Sequence, residues 1–334
     1  MVFYVTQGPY ACSALINIDR LRKTFNSTYP IVVFVKPGLQ SSFLDLFTAY
    51  NATVVLYEPP PIPINTSSYY TGVLLKLVSF RLHQIIPSLN RVLVLDSDQL
   101  ILQSPDHLFS LPVVDLAAPR AYWSEDPTEL TSALMLIKPS DRSWRRVKQA
   151  MDEIKPGEFD MDIINTLFGR TALVLPGEYC TLNTQWEVNE VPRWWQGQEP
   201  LRDPSWRPKL NSSAFTKPLV RWSESKRSII IDSKTAPEMT PEESMGSAAR
   251  ERYKTALANE ELQERAARLK DTLTDVYNNN VKMLHYTAYG KPWNSPSNEV
   301  RERRKWAHPL FSEQMATWRE AARNICPGYE EISV

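Results

Sequence analysis

The chain has 334 residues, with 38 basic and 38 acidic side chains, and therefore a formal net charge of zero. This length is enough for one large core, or for one core with a sizeable appendage. A neutral chain argues against a nucleic-acid-binding protein that works through bulk attraction to phosphates. A local basic pocket for a small phosphorylated ligand is still compatible with this composition.

Three cysteines, Cys12, Cys180 and Cys326, are odd in number and lie far apart. Their spacing predicts neither a disulfide framework nor a metal-binding cluster. The chain also holds 10 tryptophans and 26 prolines. This content favours long, shaped loops and a surface suited to flat ligands such as sugars or bases.

The chain shows no sequence signal for membrane insertion or export. It has no apolar run of about eighteen residues, and no charged-then-apolar leader precedes the first predicted strand. Two locations stay open: the cytoplasm, or a Golgi or secretory lumen if an N-terminal anchor was removed. Four N-x-S/T sequons give a faint indication of a lumen; they lie at Asn26, Asn51, Asn65 and Asn211.

The first half of the chain alternates short β-branched runs with apolar-periodic stretches. Strands are predicted at "VFYVT", "IVVFVK", "TVVLY" and "RVLVLD". Helices are predicted at "YACSALINIDRLRKTF", "SSFLDLFTAY" and "YTGVLLKLVSFRLHQI". This alternation predicts an α/β fold with a mostly parallel, Rossmann-like sheet that has helices on both faces. Ligands bind such sheets beyond the carboxyl ends of the strands.

The second half is less regular. Strands are predicted at "DLAAP", "SALMLIKPS", "ALVLP" and "VKMLHY", and helices at "RSWRRVKQAMDEI" and "FDMDIINTLFG". A capping box at Thr240 to Glu243 predicts the start of a charged helix that runs to about Asn278. The stretch 192–208 is rich in Pro and Trp. It could line an acceptor cleft or form a proline-braced surface lobe packed by its own aromatic rings.

Two carboxylates, Asp96 and Asp98, end the apolar run "RVLVLD" and precede a second apolar run. A solvated loop or an Asx-turn is the usual explanation for such a pair. Because apolar residues flank both sides, the pair would be drawn into the interior, which favours a Mg²⁺ or Mn²⁺ site that bridges to phosphate oxygens. A phosphatase of the D-x-D-x-T kind does not fit, since Gln99 and Leu100 follow the second Asp.

One of the four histidines is a candidate ligand. His83, His107 and His308 have contexts typical of structural residues. His285 ends an apolar strand and is followed six residues later by Lys291. Its imidazole is either buried and bonded to the backbone or the third protein ligand of the metal. Lys291 would then neutralise a phosphate.

Three blocks resemble the signature motifs of glycosyltransferase family 8, the glycogenin-like retaining enzymes: "VLVLDSDQLIL", "FDMDIINTLF" and "HYTAYGKPW". The stretches "APRAYW" and "LTSALMLIKPS" are similar to a fungal branch described as N-acetylglucosaminyltransferases or glucose N-acetyltransferase-like proteins. The resemblance covers residues 1–185 and 280–293. It implies one GT-A domain over 1–334, with a variable acceptor-side or surface lobe at about 190–280 and a helical tail at 294–334.

The resemblance implies a divalent ion, Mn²⁺ or Mg²⁺, held by Asp96, Asp98 and His285. It implies a UDP-sugar donor whose diphosphate is bridged by the ion and neutralised by Lys291. Asp160 would bond the sugar hydroxyls near the reacting carbon. Asp160 and Lys291 are therefore the candidate catalytic residues. Further donor contacts are implied for Thr6, Tyr10, Lys76, Ser97, Ser132 and Gly290.

Individual roles follow from the same resemblance. Tyr10 would stack on uracil with Thr6 nearby, and Lys76 would reach the donor sugar or a phosphate. Two departures bear on the sugar, which the sequence leaves open between GlcNAc and glucose. The chain has Thr131-Ser132-Ala133 where the family often has Asn-Ser-Gly, and Asp160-Met161 where Asp-Gln is common.

The predicted function is a metal-dependent retaining glycosyltransferase that moves a sugar from a UDP-sugar to a glycan or small molecule, with no nucleic-acid partner and an open oligomeric state. Two alternatives remain: a nucleotide-sugar-binding protein with little turnover, and a self-glycosylating primer. Retention could use a carboxylate nucleophile. Asp160 and Asp162 are the candidates, but they point about 200° apart on a helix, so at most one faces the site.

Overall fold

A seven-stranded sheet forms the centre of the protein, in a computed structural model that describes residues 1–63, 72–196, 260–287 and 290–329. Runs of Val, Ile and Leu build its strands, as expected for a sheet covered on both faces. The described strands, in chain order, are β1 (Val2–Val5), β2 (Ile31–Val35), β3 (Ala52–Leu56), β4 (Val92–Leu95), β5 (Gln99–Ile101), β6 (Leu116–Pro119), β7 (Leu134–Ile137), β8 (Leu173–Leu175), β9 (Thr181–Leu182) and β10 (Met283–His285).

The central sheet is mostly parallel, in the order β3-β2-β1-β4-β7-β6-β8. β7 alone runs antiparallel to its two neighbours, β4 and β6, among the described strands of this sheet. The predicted α/β fold with a mostly parallel sheet is therefore confirmed. β1 and β4 are parallel neighbours, and Val2 at the start of β1 pairs with Val94 near the end of β4. Both strands therefore run toward the same edge of the sheet.

A second sheet has three strands, in the order β5-β10-β9. β10 is antiparallel to β5, and His285 faces Gln99 in this pairing. β9 runs parallel to β10 on its other side. This small sheet therefore brings the predicted metal-ligating histidine next to the residue that follows Asp98.

The described α-helices cover both faces of the central sheet and the C-terminal part: α1 (Gly8–Asp19), α2 (Ser41–Ala49), α3 (Leu82–Ile85), α4 (Asp141–Asp152), α5 (Asp160–Phe168), α6 (Thr184–Val188), α7 (Arg193–Gln196), α8 (Glu260–Asp275), α9 (Ser297–Arg303) and α10 (Pro309–Ile325). The charged helix predicted to run to about Asn278 is α8, followed by a π-helical turn at Val276–Asn280. Its predicted capping box at residues 240–243 lies outside the described residues.

The apolar stretch predicted as one helix before β4 is mainly a 3₁₀-helix, at Val73–Arg81, continued by the short α3. Residues 74–80 are all buried. With no exposed polar face, the segment has no 3.6-residue pattern to follow, and a tighter 3₁₀ turn fits between its neighbours. This segment carries Lys76 into the interior.

The C-terminal helix α10 packs into the core beside α1. Trp318 on α10 is fully buried, and its indole N–H donates to the Ser13 hydroxyl of α1 at 3.1 Å. A disulfide joins Cys12 to Cys326, which are separated by 314 positions in the sequence. The expectation that the cysteines form no disulfide is therefore wrong, because the fold returns the C-terminal helix to the first one. Cys180 is free and buried.

The described part of the Trp-rich stretch, residues 192–196, packs against the main core. Trp195 is 8% exposed and joins the main core. Trp194 packs so tightly on Gly177 that a Cβ added there would lie 2.4 Å from the Trp194 side chain. Residues 197–208 lie outside the described residues. No helix in the described part of the chain is long and apolar enough to cross a membrane.

Candidate active site

Backbone hydrogen bonds hold Asp96 and Asp98 at the end of the fully buried strand β4. The Asp96 N–H donates to the Ala133 carbonyl at 2.9 Å, and the Asp98 carbonyl accepts from the Tyr286 N–H at 3.0 Å. Asp96 is 7% and Asp98 is 8% exposed. The pair is therefore not a solvated loop, and both carboxylates need charged or hydrogen-bonding partners.

Asp96, Asp98 and His285 meet at one point. Each offers one ligand atom, and these three atoms all lie within 4.8 Å of one another. The Nε2 atom of His285 is 3.4 Å from the Asp98 carboxylate, and its Nδ1 atom is 3.7 Å from the Cys180 sulfur. The three residues predicted as metal ligands are thus brought together by the ends of β4 and β10.

Lys291 lies directly on this cluster. Its ammonium donates to the Asp98 carboxylate, and it donates to the Tyr286 carbonyl at 2.5 Å. The residue is 4% exposed. The predicted phosphate-binding cation therefore serves as a buried counter-ion of Asp98 in this structure.

A second buried lysine serves the other carboxylates. The ammonium of Lys76 lies 2.5 Å from the Asp96 carboxylate and 2.9 Å from that of Asp160. The Ser132 hydroxyl donates to Asp160 and lies 3.4 Å from the Lys76 ammonium. Lys76, Ser132 and Asp160, which the family resemblance implies as donor contacts, therefore form one network that reaches Asp96.

Burial and neighbouring charges determine the pKa values of Asp98 and His285. Burial alone would raise the pKa of Asp98, but Lys291 and His285 hold it well below its usual range. Burial alone would lower the pKa of His285, but attraction and hydrogen bonding to Asp98 raise it to about 10. Without a bound cation, protonated His285 and Lys291 therefore both stabilise the Asp98 carboxylate.

Asp96 differs from Asp98, because its pKa is raised and not lowered. Burial raises the pKa of Asp96, and the negative charge of Asp98 raises it further. The nearby Lys76 ammonium lowers it, but only in part. Burial would lower the pKa of Lys76, but Asp160 and Asp96 raise it above its usual value. The Tyr4 hydroxyl donates to Asp96 at 3.0 Å, and burial next to Asp96 raises its pKa well above the usual value. Asp96 thus carries the less compensated charge of the pair.

The donor set fits a hard divalent cation. Two carboxylates and an imidazole are ligands that suit Mn²⁺, and carboxylates also suit Mg²⁺. Among the described residues, the site holds three carboxylates and two ammonium groups, so it carries one net negative charge when the imidazole is neutral. A divalent ion would change this to one net positive charge. The loaded site would then attract an anion such as a diphosphate.

The other residues predicted to contact the donor make protein contacts of their own. Thr6 follows β1 and packs on Gly72, where an added Cβ would lie 2.5 Å from its methyl group. The Ser97 hydroxyl donates to the Tyr4 carbonyl at 2.6 Å and keeps only acceptor capacity for a ligand. Tyr10 makes an edge-to-face contact with Trp293 at 5.2 Å between ring centroids. Its proposed stacking on uracil stays a prediction.

The other three histidines make hydrogen bonds elsewhere in the described structure. His83 lies 2.9 Å from Asp141, His107 bonds the Tyr179 hydroxyl, and His308 accepts from the Leu310 N–H at 3.1 Å at the start of α10.

Three residues of the site were missed from the sequence. Tyr4 bonds Asp96, Cys180 contacts His285, and Asn183 bonds both Thr287 and Gly290. None of the three belongs to a motif recognised in the sequence analysis. The polar Asn183 within "YCTLNTQW" was the one detectable signal, since buried amides need partners.

Two curated fungal proteins are similar to this chain, and both are called glucose N-acetyltransferase 1. The protein from Gibberella zeae is 32% identical over 192 residues, which cover 52% of this chain and 41% of that protein. The protein from Aspergillus fumigatus is 28% identical over 197 residues, which cover 52% of this chain and 50% of that protein. The chain thus spans about half the length of the curated relatives it matches. The resemblance to the fungal branch is confirmed.

Solved glycosyltransferases share the fold. The galactosyltransferase LgtC, solved with donor and acceptor sugar analogues, superposes with a TM-score of 0.53 at 16% identity over 100% of both chains. The bifunctional glycosyltransferase WbbM superposes with a TM-score of 0.52 at 14% identity over 99% of this chain and 50% of that one. The predicted GT-A fold is therefore confirmed. No family model matches the chain.

Proposed function

We propose that this protein is a metal-dependent retaining glycosyltransferase that transfers a sugar, GlcNAc or glucose, from a UDP-sugar to a glycan or small-molecule acceptor. The convergence of Asp96, Asp98 and His285 within 4.8 Å, with the Lys291 ammonium on Asp98, carries the proposal. When bound, Mn²⁺ would supply Lewis acidity that stabilises the departing diphosphate. The fold of the solved neighbours supports this assignment.

The chain's own residues would bind and orient the donor. Lys291 would exchange its contact with Asp98 for one with a phosphate oxygen, as a point charge that needs no fixed hydrogen-bond geometry. Asp160 would hold the sugar hydroxyls while Lys76 and Ser132 hold its carboxylate. Tyr10 and Thr6 would border the base. Because these groups lie in a water-poor interior, their charges would act more strongly than in water.

The geometry favours a front-face route to retention. Asp162 is not available as a nucleophile, because its carboxylate accepts the Phe159 N–H at 2.8 Å at the start of its own helix. Asp160 already accepts hydrogen bonds from Lys76 and Ser132, which reduces its nucleophilicity. In the front-face step, the acceptor oxygen bonds the anomeric carbon as the bond to phosphate breaks. The departing phosphate oxygen takes the acceptor proton.

A donor-hydrolysis panel tests the proposal. UDP-GlcNAc, UDP-glucose and UDP-galactose are incubated with the protein and Mn²⁺, and release of UDP is measured with and without EDTA. We expect Mn²⁺-dependent hydrolysis of one donor, lost in Asp98→Asn and retained in the exposed control Asp152→Asn. UDP binding without hydrolysis or transfer would favour the nucleotide-sugar-binding protein. A gain in intact mass by one sugar would favour the self-glycosylating primer.

Two further readouts test the chemistry. Because the fungal relatives are named as acetyltransferases, acetyl-CoA with glucose is included in the panel. Acetylated product without UDP release would overturn the glycosyltransferase assignment. Product stereochemistry by NMR should show retention. A covalent sugar adduct on Asp160 after rapid quench would replace the front-face route by double displacement.

A further inference from the structure

Asn183 occupies a fully buried position beside the segment that leads from His285 to Lys291. It directly follows β9 and precedes α6. Its backbone N–H donates to the His285 carbonyl at 3.0 Å and so continues the pairing of β9 with β10. The Cα of Asn183 is therefore held in register with a metal ligand before its side chain makes any contact.

The side-chain amide of Asn183 connects two backbone groups of the segment that leads to Lys291. Its oxygen accepts from the Thr287 N–H at 3.0 Å and from the Thr287 hydroxyl at 3.4 Å. Its nitrogen donates to the Gly290 carbonyl at 3.2 Å. Since a backbone N–H only donates and a carbonyl only accepts, these partners fix the orientation of the amide. Asn183 thus joins the chain on either side of residues 288 and 289, which lie outside the described residues.

The packing at Gly290 leaves room for no other residue. A Cβ added there would lie 2.3 Å from the Asn183 amide nitrogen. The Gly290 N–H also donates to the Thr287 carbonyl at 2.9 Å, so a backbone hydrogen bond joins the same two residues. The next residue is Lys291, whose ammonium reaches Asp98. The position of the Gly290 carbonyl therefore sets the point from which the Lys291 side chain starts.

On the premise that the site binds a nucleotide diphosphate as proposed above, we propose that Asn183 is a positioning residue for that diphosphate and acts through Lys291. It holds Thr287 and Gly290 at a fixed separation, so that the Lys291 ammonium is delivered to the metal-ligand cluster at little conformational cost. No described contact joins the Asn183 side chain to Asp96, Asp98 or the His285 ring. Binding of the metal alone should therefore not depend on its amide.

Isothermal titration of Mn²⁺ alone, and of UDP in the presence of Mn²⁺, tests this role. Asn183→Ala would leave the Thr287 N–H and the Gly290 carbonyl without their side-chain partner and so loosen the start of the Lys291 side chain. A tenfold change in UDP affinity corresponds to about 1.4 kcal/mol. We expect about tenfold weaker UDP binding and unchanged Mn²⁺ binding. In a Lys291→Ala background the same substitution should change UDP affinity by less than about twofold.

A matched control and a second variant keep the outcome decisive. Asn165 bridges the N–H and carbonyl of Leu130, both at 2.8 Å. Asn165→Ala should lower stability without changing UDP affinity. If Asn183→Ala fails to fold, Gly290→Ala pushes the same contact apart and should weaken UDP binding in the same way.

The results separate this role from the proposed function. Wild-type protein that binds no UDP with Mn²⁺ would overturn both. Wild-type protein that binds UDP, with Asn183→Ala at equal affinity, would overturn the positioning role alone. Equal additional weakening in the Lys291→Ala background, or parallel loss of Mn²⁺ binding, would show a general structural role and overturn it as well.

Discussion

Lys291→Met should destabilise the cation-free protein, and a divalent cation should reverse the loss. The Lys291 ammonium lies in a buried ion pair with Asp98, and both residues are less than 10% exposed. Removal of one partner of a buried ion pair costs about 3–5 kcal/mol, because the other charge remains uncompensated. His285 still lies 3.4 Å from Asp98, so we expect a loss at the lower end, about 3 kcal/mol.

Mn²⁺ would take the place of the missing ammonium charge. At a concentration about a thousandfold above its Kd, a ligand that binds only the native state adds about 4 kcal/mol. The variant should also bind Mn²⁺ more tightly than wild type, because the cation no longer competes with the lysine for Asp98. Mn²⁺ should therefore recover more unfolding free energy in Lys291→Met than in wild type.

Urea unfolding followed by far-UV circular dichroism, with and without Mn²⁺, measures both effects. The control is Lys148→Met, because Lys148 forms an exposed i,i+4 ion pair with Asp152 at 2.5 Å. That pair should contribute no more than about 0.5 kcal/mol. Equal midpoints for the two variants without Mn²⁺ would refute the buried counter-ion role. Equal recovery by Mn²⁺ in Lys291→Met and wild type would refute the competition between cation and lysine.

Three further outcomes are expected. Asp98→Asn should lose Mn²⁺-dependent UDP binding while Asp152→Asn keeps it, as measured by calorimetry; unchanged affinity in the first variant would remove the metal assignment. Cys326→Ser should lower the free energy of unfolding by about 2–5 kcal/mol. A reductant should lower the free energy of unfolding of the wild type but not of this variant, and an unchanged wild type would contradict the disulfide. The pKa of His285 is raised from 6.5 to about 10, so its protonation stabilises the metal-free fold fully below pH 6.5 and this stabilisation is lost as the pH rises to about 10. The stability gap between wild type and His285→Gln should therefore narrow over that range, and a constant gap would contradict the shift.

Local patterns predicted the sheet because each strand carries its own signal. The β-branched runs of β1 and β2 and the apolar run of β4 are short, continuous and bounded by polar residues. The same reasoning placed Asp96 and Asp98 at a strand end. It predicted a helix around Lys76 but not its 3₁₀ form, since residues buried on every side show no period.

Contacts between distant segments were not predictable from local patterns. The disulfide joins Cys12 to Cys326 across 314 positions, and nothing in either neighbourhood indicates the other. The bond from Asn183 to Gly290 depends on where β9 pairs with β10, which no periodicity specifies. The contact of Tyr4 with Asp96 was not predictable either. An aromatic residue is expected in a strand, and only the pairing of β1 with β4 brings the Asp96 carboxylate to the Tyr4 hydroxyl.

The two buried lysines, Lys291 and Lys76, pair with different carboxylates of the site. Lys291 pairs with Asp98, and it follows Gly290, whose carbonyl accepts a hydrogen bond from the Asn183 side chain. Lys76 pairs with Asp96 and Asp160 together, so it links a predicted metal ligand to the residue predicted to hold the sugar. A cation that binds Asp96 would compete with Lys76 for that carboxylate and leave the ammonium more fully to Asp160. Occupation of the metal position would in this way fix the carboxylate that orients the sugar, while Lys291 becomes available to the diphosphate.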